Sequence, residues 1–190
     1  MKIAMIASEV TPLAKTGGLA DVIGTLSVAL ERLGHEICVV APAYRSAMQG
    51  NFPLRETGIT LSVPLSDRLQ EATVFETAIG KKIPVYLIRA DPYFDREFLY
   101  GTPSGDYADN AERFIFLSRA ALEVLRRHPA DIVHCHDWQT ALAAVFLRIQ
   151  PARYAEIAAA KIIFTIHNLG FQGVFGQAFW PLLNLDPNYF

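Results

Sequence analysis

The chain has 190 residues, of which 52% are hydrophobic and 19% charged, and its formal net charge is −2. That length supports one domain with a full hydrophobic core and is short for two, while the near-neutral charge offers no general attraction for nucleic acid or an anionic membrane. No stretch approaches the length of a membrane span, and the apolar run Ile3 to Ala7 is too short for a signal peptide. Cys38 and Cys135 fall far apart in predicted strands, so both read as buried free thiols of a cytoplasmic protein.

In chain order, Lys2 to Ala7 is an apolar run suited to a central strand of a parallel sheet. The loop Lys15-Thr16-Gly17-Gly18-Leu19 joins it to a periodic helix. A strand, a glycine loop and a helix N-terminus together make an anion-binding arrangement, because the free N–H groups carry partial positive charge and glycine admits close approach. Lys15 adds a full charge; the competing assignment for Gly17-Gly18 is a simple tight turn. Leu19, Val22, Ile23, Leu26, Ala29, Leu30 and Leu33 form the apolar stripe, with Gly34 as the stop. Asp21 lies off that stripe, either as a charge at the helix dipole or facing the same cleft as Lys15.

Glu36 to Ala41 is the second strand, ended by Pro42, and completes a β-α-β unit. A dinucleotide-binding unit would need G-x-G-x-x-G at the first turn and an acid after the second strand; both are absent, as is the P-loop spacing. Gly50 to Arg89 reads as an antiparallel excursion around a Gly80-Lys81-Lys82 turn, ending in a return strand, Val85 to Ile88. Asp91 to Gly105 is irregular and aromatic. Asp109 to Arg127 is a second long helix, with Asp109 and Glu112 in a capping-box spacing and a stripe of Phe114, Leu117, Ser118, Ala121, Leu122 and Leu125. Asp131 to Cys135 is a strand, followed by a helix with Ala141, Leu142, Val145 and Ile149 on one face. Lys161 to Ile166 is the last strand, and the aromatic stretch from there to Phe190 shows no further well-formed element.

This alternation predicts an α/β fold: a doubly wound, mainly parallel Rossmann-like sheet with an antiparallel hairpin excursion. Ligands in such sheets bind beyond the C-terminal strand ends, where Lys15, Gly17, Gly18, Asp21, Tyr44, His134, His136, Asp137, His167 and Asn168 collect. His134-x-His136 sets two imidazoles on one side of a strand, which would suit a metal-dependent hydrolase with His167 as a third ligand; a packed, hydrogen-bonded His134 is the other assignment. No nucleophile elbow occurs. What remains is polar recognition with anion stabilisation, in which the loop and Lys15 face a diphosphate while Asp137, His167 and Asn168 hold sugar hydroxyls.

Four motifs, Lys15-Thr16-Gly17-Gly18-Leu19-Ala20-Asp21-Val22, Pro42-Ala43-Tyr44-Arg45, His136-Asp137-Trp138-Gln139-Thr140 and Thr165-Ile166-His167-Asn168-Leu169-Gly170-Phe171-Gln172-Gly173, resemble in order and spacing the N-terminal domain of bacterial glycogen synthases and plant starch synthases. Tyr107-x-Asp109-Asn110-x-x-Arg113-Phe114 extends the resemblance across the chain. Gln139 stands where many relatives have His, and Gly170-Phe171 where many have Ala-Tyr. The resemblance implies the N-terminal, acceptor-side half of a two-domain GT-B glycosyltransferase. Such an enzyme moves glucose from ADP-glucose to the non-reducing end of an α-1,4-glucan, with retention and with no metal or cofactor. It further implies that Lys15, Gly17 and Gly18 face the donor phosphates and that Asp21 and Asp137 lie by the sugars. Tyr93 and Trp138 then serve the acceptor, His167 touches the transferred glucose and Asn168 supports it. A C-terminal domain would supply most nucleotide contacts, so these residues alone are expected to be an inactive fragment. A non-catalytic glucan-binding module, resting on the aromatic residues Tyr93 to Tyr107 and Trp138, is the remaining alternative.

Overall fold

The computed structural model describes residues 1–189; Phe190, where the aromatic stretch of the sequence ends, lies outside the described residues. Nine strands and five α-helices follow one another among them: β1 (Lys2–Ile6), α1 (Gly18–Arg32), β2 (Glu36–Pro42), α2 (Arg45–Met48), β3 (Arg55–Leu65), β4 (Arg68–Ile79), β5 (Ile83–Arg89), α3 (Asp91–Phe94), β6 (Gly101–Thr102), β7 (Gly105–Asp106), α4 (Asn110–Leu125), β8 (Ile132–His136), α5 (Trp138–Ile149) and β9 (Lys161–Thr165). Seven of the strands form one sheet in the order β3-β4-β5-β2-β1-β8-β9. From β5 to β9 every pairing is parallel, and β3 and β4 extend the sheet as an antiparallel ribbon beyond β5. The expected excursion and return strand are therefore present, built into the main sheet.

The apolar strands are buried on both faces because each face meets its own core. Ile3 and Met5 of β1 pack with Ile37, Val39, Val85 and Leu87 under α1, through Leu19 and Ile23. Ala4 and Ile6 point the other way, with Val40, Ile88, Val133 and Cys135, toward α4 and α5. Continuous apolar runs in the sequence reflect this double covering. Helix α1 stops as Gly34 predicts. Gly34 at φ +86° donates its N–H to Glu31 O at 2.9 Å, and His35 donates to Leu30 O at 3.2 Å, which caps two free carbonyls.

Four expectations are corrected. The α1 stripe is too broad: Leu33 is 73% exposed and Val22 faces outward, while Ala20 and Ser27 are buried. In α5 the buried face is Gln139, Thr140, Ala143, Phe146 and Leu147, with Val145 outside. The capping box does not form, because Asp109 ion-pairs with Arg96 at 2.5 Å and Glu112 holds Arg68 and the Tyr93 hydroxyl. Cys135 is buried and free; Cys38, also free, is only half-buried.

Helix α4 is buried on every side, since all its residues except Glu112 are inaccessible. The sheet lies beneath it, α5 beside it, and β3 and the 3₁₀ segment Gln177–Leu183 close the rest. Its two buried arginines are satisfied mainly by carbonyls. Arg113 donates to Tyr93 O, Asn110 Oδ1 and Leu99 O at 2.8, 2.6 and 2.9 Å, and so organises residues 91–105. Arg119 lies over the Phe146 ring and donates to Leu183 O, which ties the C-terminal segment down. Burial lowers the pKa of both guanidinium groups.

A candidate active-site cleft at the sheet's switch point

The order of the parallel strands reverses direction at β1: the chain first builds outward through β2 and β5, then returns to the other flank of β1 with β8 and β9. Loops leaving β1 and β8 diverge there and open a crevice at their C-terminal ends. A cleft of about 500 Å³ occupies this position, lined by Glu9, Thr16, Gly17, Gly18, Leu19 and Val22 on one wall and by Asp137, Trp138, Gln139, His167, Asn168 and Phe171 on the other. Tyr100, Asp106 and Asn110 close it from the side of β6, β7 and α4.

On the β1 wall, the glycine loop is already in part occupied by a carboxylate of the chain itself. Glu9 is buried and accepts from Thr16 N (2.5 Å), Thr16 Oγ1 (2.7 Å), Gly17 N (3.3 Å) and Tyr100 OH (2.6 Å). The Thr16 and Gly17 amides of the loop therefore hold Glu9. The N–H groups at the start of α1, where Gly17 is the N-cap and contributes no side chain, are the ones left for a ligand. Neither Gly17 nor Gly18 is required by φ, and a Cβ at either would meet open space. Their value is clearance on the cleft side.

Lys15 and Asp21 form an exposed ion pair, Nζ to Oδ2 at 2.7 Å and to Oδ1 at 2.8 Å, beside the cleft wall. The Lys15 hydrogen bond holds the Asp21 carboxyl below its usual range. Half-exposed pairs of this kind are worth little, so Lys15 can exchange Asp21 for another anion at small cost.

The opposite wall is over-determined. Asp137 follows β8 with φ +57° and ψ 176°, a combination that is nearly glycine-only and costs roughly 1–3 kcal/mol. Hydrogen bonds hold it there: its N–H donates to Thr165 O at 2.9 Å, its carbonyl accepts from Thr140 N at 3.1 Å, and its Oδ1 accepts from His167 N at 2.7 Å. Thr140 Oγ1 accepts from His136 N at 2.7 Å and donates back to His136 O at 2.8 Å. Asn168 Oδ1 caps Gly170 N at 2.8 Å and shapes the next loop. Trp138 packs edge-on to Phe114 with ring centres 5.1 Å apart. Gly173, at φ +61°, lies against its face, where any Cβ would come within 2.3 Å of the indole.

Of the site residues expected from sequence, Gly17, Gly18, Asp137, Trp138, His167 and Asn168 meet at the cleft, and Lys15 and Asp21 pair beside it. Tyr93 does not join them: it is buried, its ring tilted against Phe116, with its hydroxyl held by Glu112. Tyr44 is also a core residue, against Phe94. His134 and His136 do face the same way, with ring centres 3.9 Å apart. Each ring is already engaged, however: His134 Nε2 with Thr165 Oγ1 at 2.7 Å, His136 Nδ1 with His167 Nε2 at 3.0 Å. Among the described residues no cluster of three or more His, Cys, Asp or Glu side chains is arranged to hold a metal ion. Sequence reasoning missed Glu9, Tyr100 and Thr140. Only Glu9 carried a signal, as an acid placed directly after an apolar strand and before a diglycine.

The family model described as the starch synthase catalytic domain matches residues 2–190. A curated glycogen synthase 2 of Geobacter metallireducens is 43% identical over 192 residues, covering all of this chain and 40% of that protein. The glycogen synthase of Koribacter versatilis is 44% identical, again over the whole chain and 39% of its own length. The chain thus spans about two fifths of the curated relatives it matches. Among solved structures, the catalytic domain of starch synthase IV from Arabidopsis thaliana, bound to ADP and acarbose, superposes on 98% of the chain and 38% of its own, with a TM-score of 0.86 and 31% identity. A sucrose-phosphate synthase of Thermosynechococcus elongatus shares the fold at a TM-score of 0.52 and 13% identity, over 89% of this chain and 33% of its own. The chain belongs to the starch synthase catalytic domain family.

Proposed function

We propose that this chain is the N-terminal, acceptor-side domain of a cytoplasmic glycogen synthase, which transfers glucose with retention from ADP-glucose to the non-reducing end of an α-1,4-glucan. A C-terminal domain of the same polypeptide supplies the base and ribose contacts. The observation that carries the reading is the cleft: one wall offers helix N-terminal amides and an exchangeable lysine to a diphosphate, and the other offers a rigid Asp137, His167 and Asn168 to a sugar. The starch synthase neighbour solved with ADP and acarbose supports the ADP-linked donor and a saccharide acceptor.

In this reading the α1 N-terminus and Lys15 stabilise charge as the diphosphate leaves, an interaction worth roughly 3 kcal/mol of barrier per preorganised donor. Asp137 and His167 orient the glucose, and Trp138 offers its ring to the acceptor. A radiolabel transfer assay with ADP-glucose and UDP-glucose tests the proposal on the polypeptide that joins this chain to its C-terminal domain. Elongation of glycogen with preference for ADP-glucose is expected, with no turnover by residues 1–190 alone. Glycogen binding without use of either donor overturns the enzyme reading, and elongation by the isolated chain overturns the two-domain assignment.

A further inference from the structure

His136 and His167 share a hydrogen bond from ring to ring, 3.0 Å between His136 Nδ1 and His167 Nε2, and one hydrogen serves it. Which imidazole carries that hydrogen is decided on the far side of His136. There Nε2 lies 3.4 Å from Met5 Sδ, and a thioether sulfur only accepts. His136 and Met5 are both fully buried. A bare Nε2 would set two lone pairs against each other with no donor in reach, the arrangement that buried polar groups avoid. A hydrogen on Nε2 instead donates to sulfur. Burial, together with the neighbouring His134 and His167 rings, lowers the His136 pKa to about 3, so the ring is neutral and has a single hydrogen to place. With it on Nε2, Nδ1 is bare and accepts.

The rings are also fixed in place. Thr140 holds the His136 backbone, the tilted His134 ring packs against the His136 ring, and Asp137 holds His167 N.

We propose that His136 is a positioning residue that fixes His167 as its Nε2–H tautomer, so that the second nitrogen, Nδ1, is a bare acceptor for a substrate hydroxyl. The identity of that hydroxyl as a sugar's rests on the glucosyltransferase reading; the tautomer does not. His167 then recognises a hydroxyl that donates, while Asp137 Oδ1 is held by the His167 amide.

The test is ¹⁵N NMR of the histidine-labelled chain at neutral pH, with no substrate present. The expected spectrum shows a one-bond proton splitting on His167 Nε2, a bare His136 Nδ1, and a nitrogen–nitrogen coupling between the two across the hydrogen bond. A proton on His136 Nδ1 overturns the proposal. His136→Asn, whose Oδ1 takes the place of Nδ1, should keep the His167 Nε2–H protected from solvent exchange. His136→Leu should expose it and let His167 relax toward the two-tautomer mixture of free imidazole. A folded Leu variant in which His167 stays protected and wholly Nε2–H overturns the proposal, and if that variant fails to fold, the wild-type and Asn spectra decide it. Because no turnover is read, an enzyme that failed to use ADP-glucose would leave this result standing, and the reverse also holds.

Discussion

The two walls of the cleft are held by opposite means. The wall after β8 concentrates cost and compensation: Asp137 sits in a strained backbone conformation, and Thr140, Thr165 and His167 each hold it there. The wall after β1 is lightly held at its ligand-facing edge, by two glycines with open space around them and an exposed Lys15–Asp21 pair. Its one firm point, Glu9, sits behind the loop. The difference follows from what each wall would grip. A sugar ring is neutral and is recognised by directional hydrogen bonds that lose value within a fraction of an ångström, so its partners need preorganisation. A diphosphate is charged, and a flexible ammonium on a small loop follows it without precise geometry.

The comparison breaks most directly at Asp137. Asp137→Ala keeps the strained backbone and removes the acceptor for His167 N, so in the proposed two-domain enzyme kcat/KM should fall roughly 100- to 1,000-fold. Steady-state kinetics read this, and a fall of less than threefold would show the rigid wall to be structural only. On the other wall, Lys15→Ala should raise KM for ADP-glucose roughly 10- to 100-fold, as expected for one lost charge-assisted hydrogen bond, and leave the urea midpoint unchanged. Loss of stability with unchanged KM would reverse the roles given to the two walls.

Acid sharpens the same contrast. His136 titrates near 3 when folded and near 6.5 when unfolded, so between those values the unfolded chain takes up a proton that the folded protein refuses. The stability that its neutral burial contributes is complete above pH 6.5 and is lost as pH falls toward 3, by about 2 kcal/mol from this residue between pH 7 and pH 5. Urea unfolding across that range should show the slope, reduced in His136→Asn. The smallest effect is expected from Thr140→Val, which keeps shape but strands the buried His136 N–H, for about 1–2 kcal/mol by the same measurement. Its cost should appear in stability and in kcat together, since Thr140 supports the backbone that Asp137 strains.

The sequence alone determined the alternation of strands and helices, the two-sided burial of the parallel strands, the Gly34 stop and the strand ends at which Gly17, Gly18, Asp137, His167 and Asn168 gather. These are local matters: periodicity, turn chemistry and the rule that parallel strands send their ends to one edge. Tertiary structure decided which partner each polar group took. Glu112 has the spacing of a capping residue but holds Arg68 and Tyr93, because the folded chain brings a guanidinium to it. Tyr93 lies among aromatic residues that look exposed in sequence and is drawn inside, because Arg113 fastens the backbone of residues 91–105 over the core. Helix α4 shows a stripe in sequence yet is covered on all sides, since residues far along the chain close over its polar face. Glu9 takes the Thr16 and Gly17 amides that the glycine loop alone would offer to a phosphate, which leaves the start of α1 for the proposed anion. A motif states what a segment is able to bind; only the fold, by setting which groups compete for the same donors, states what is left for a ligand.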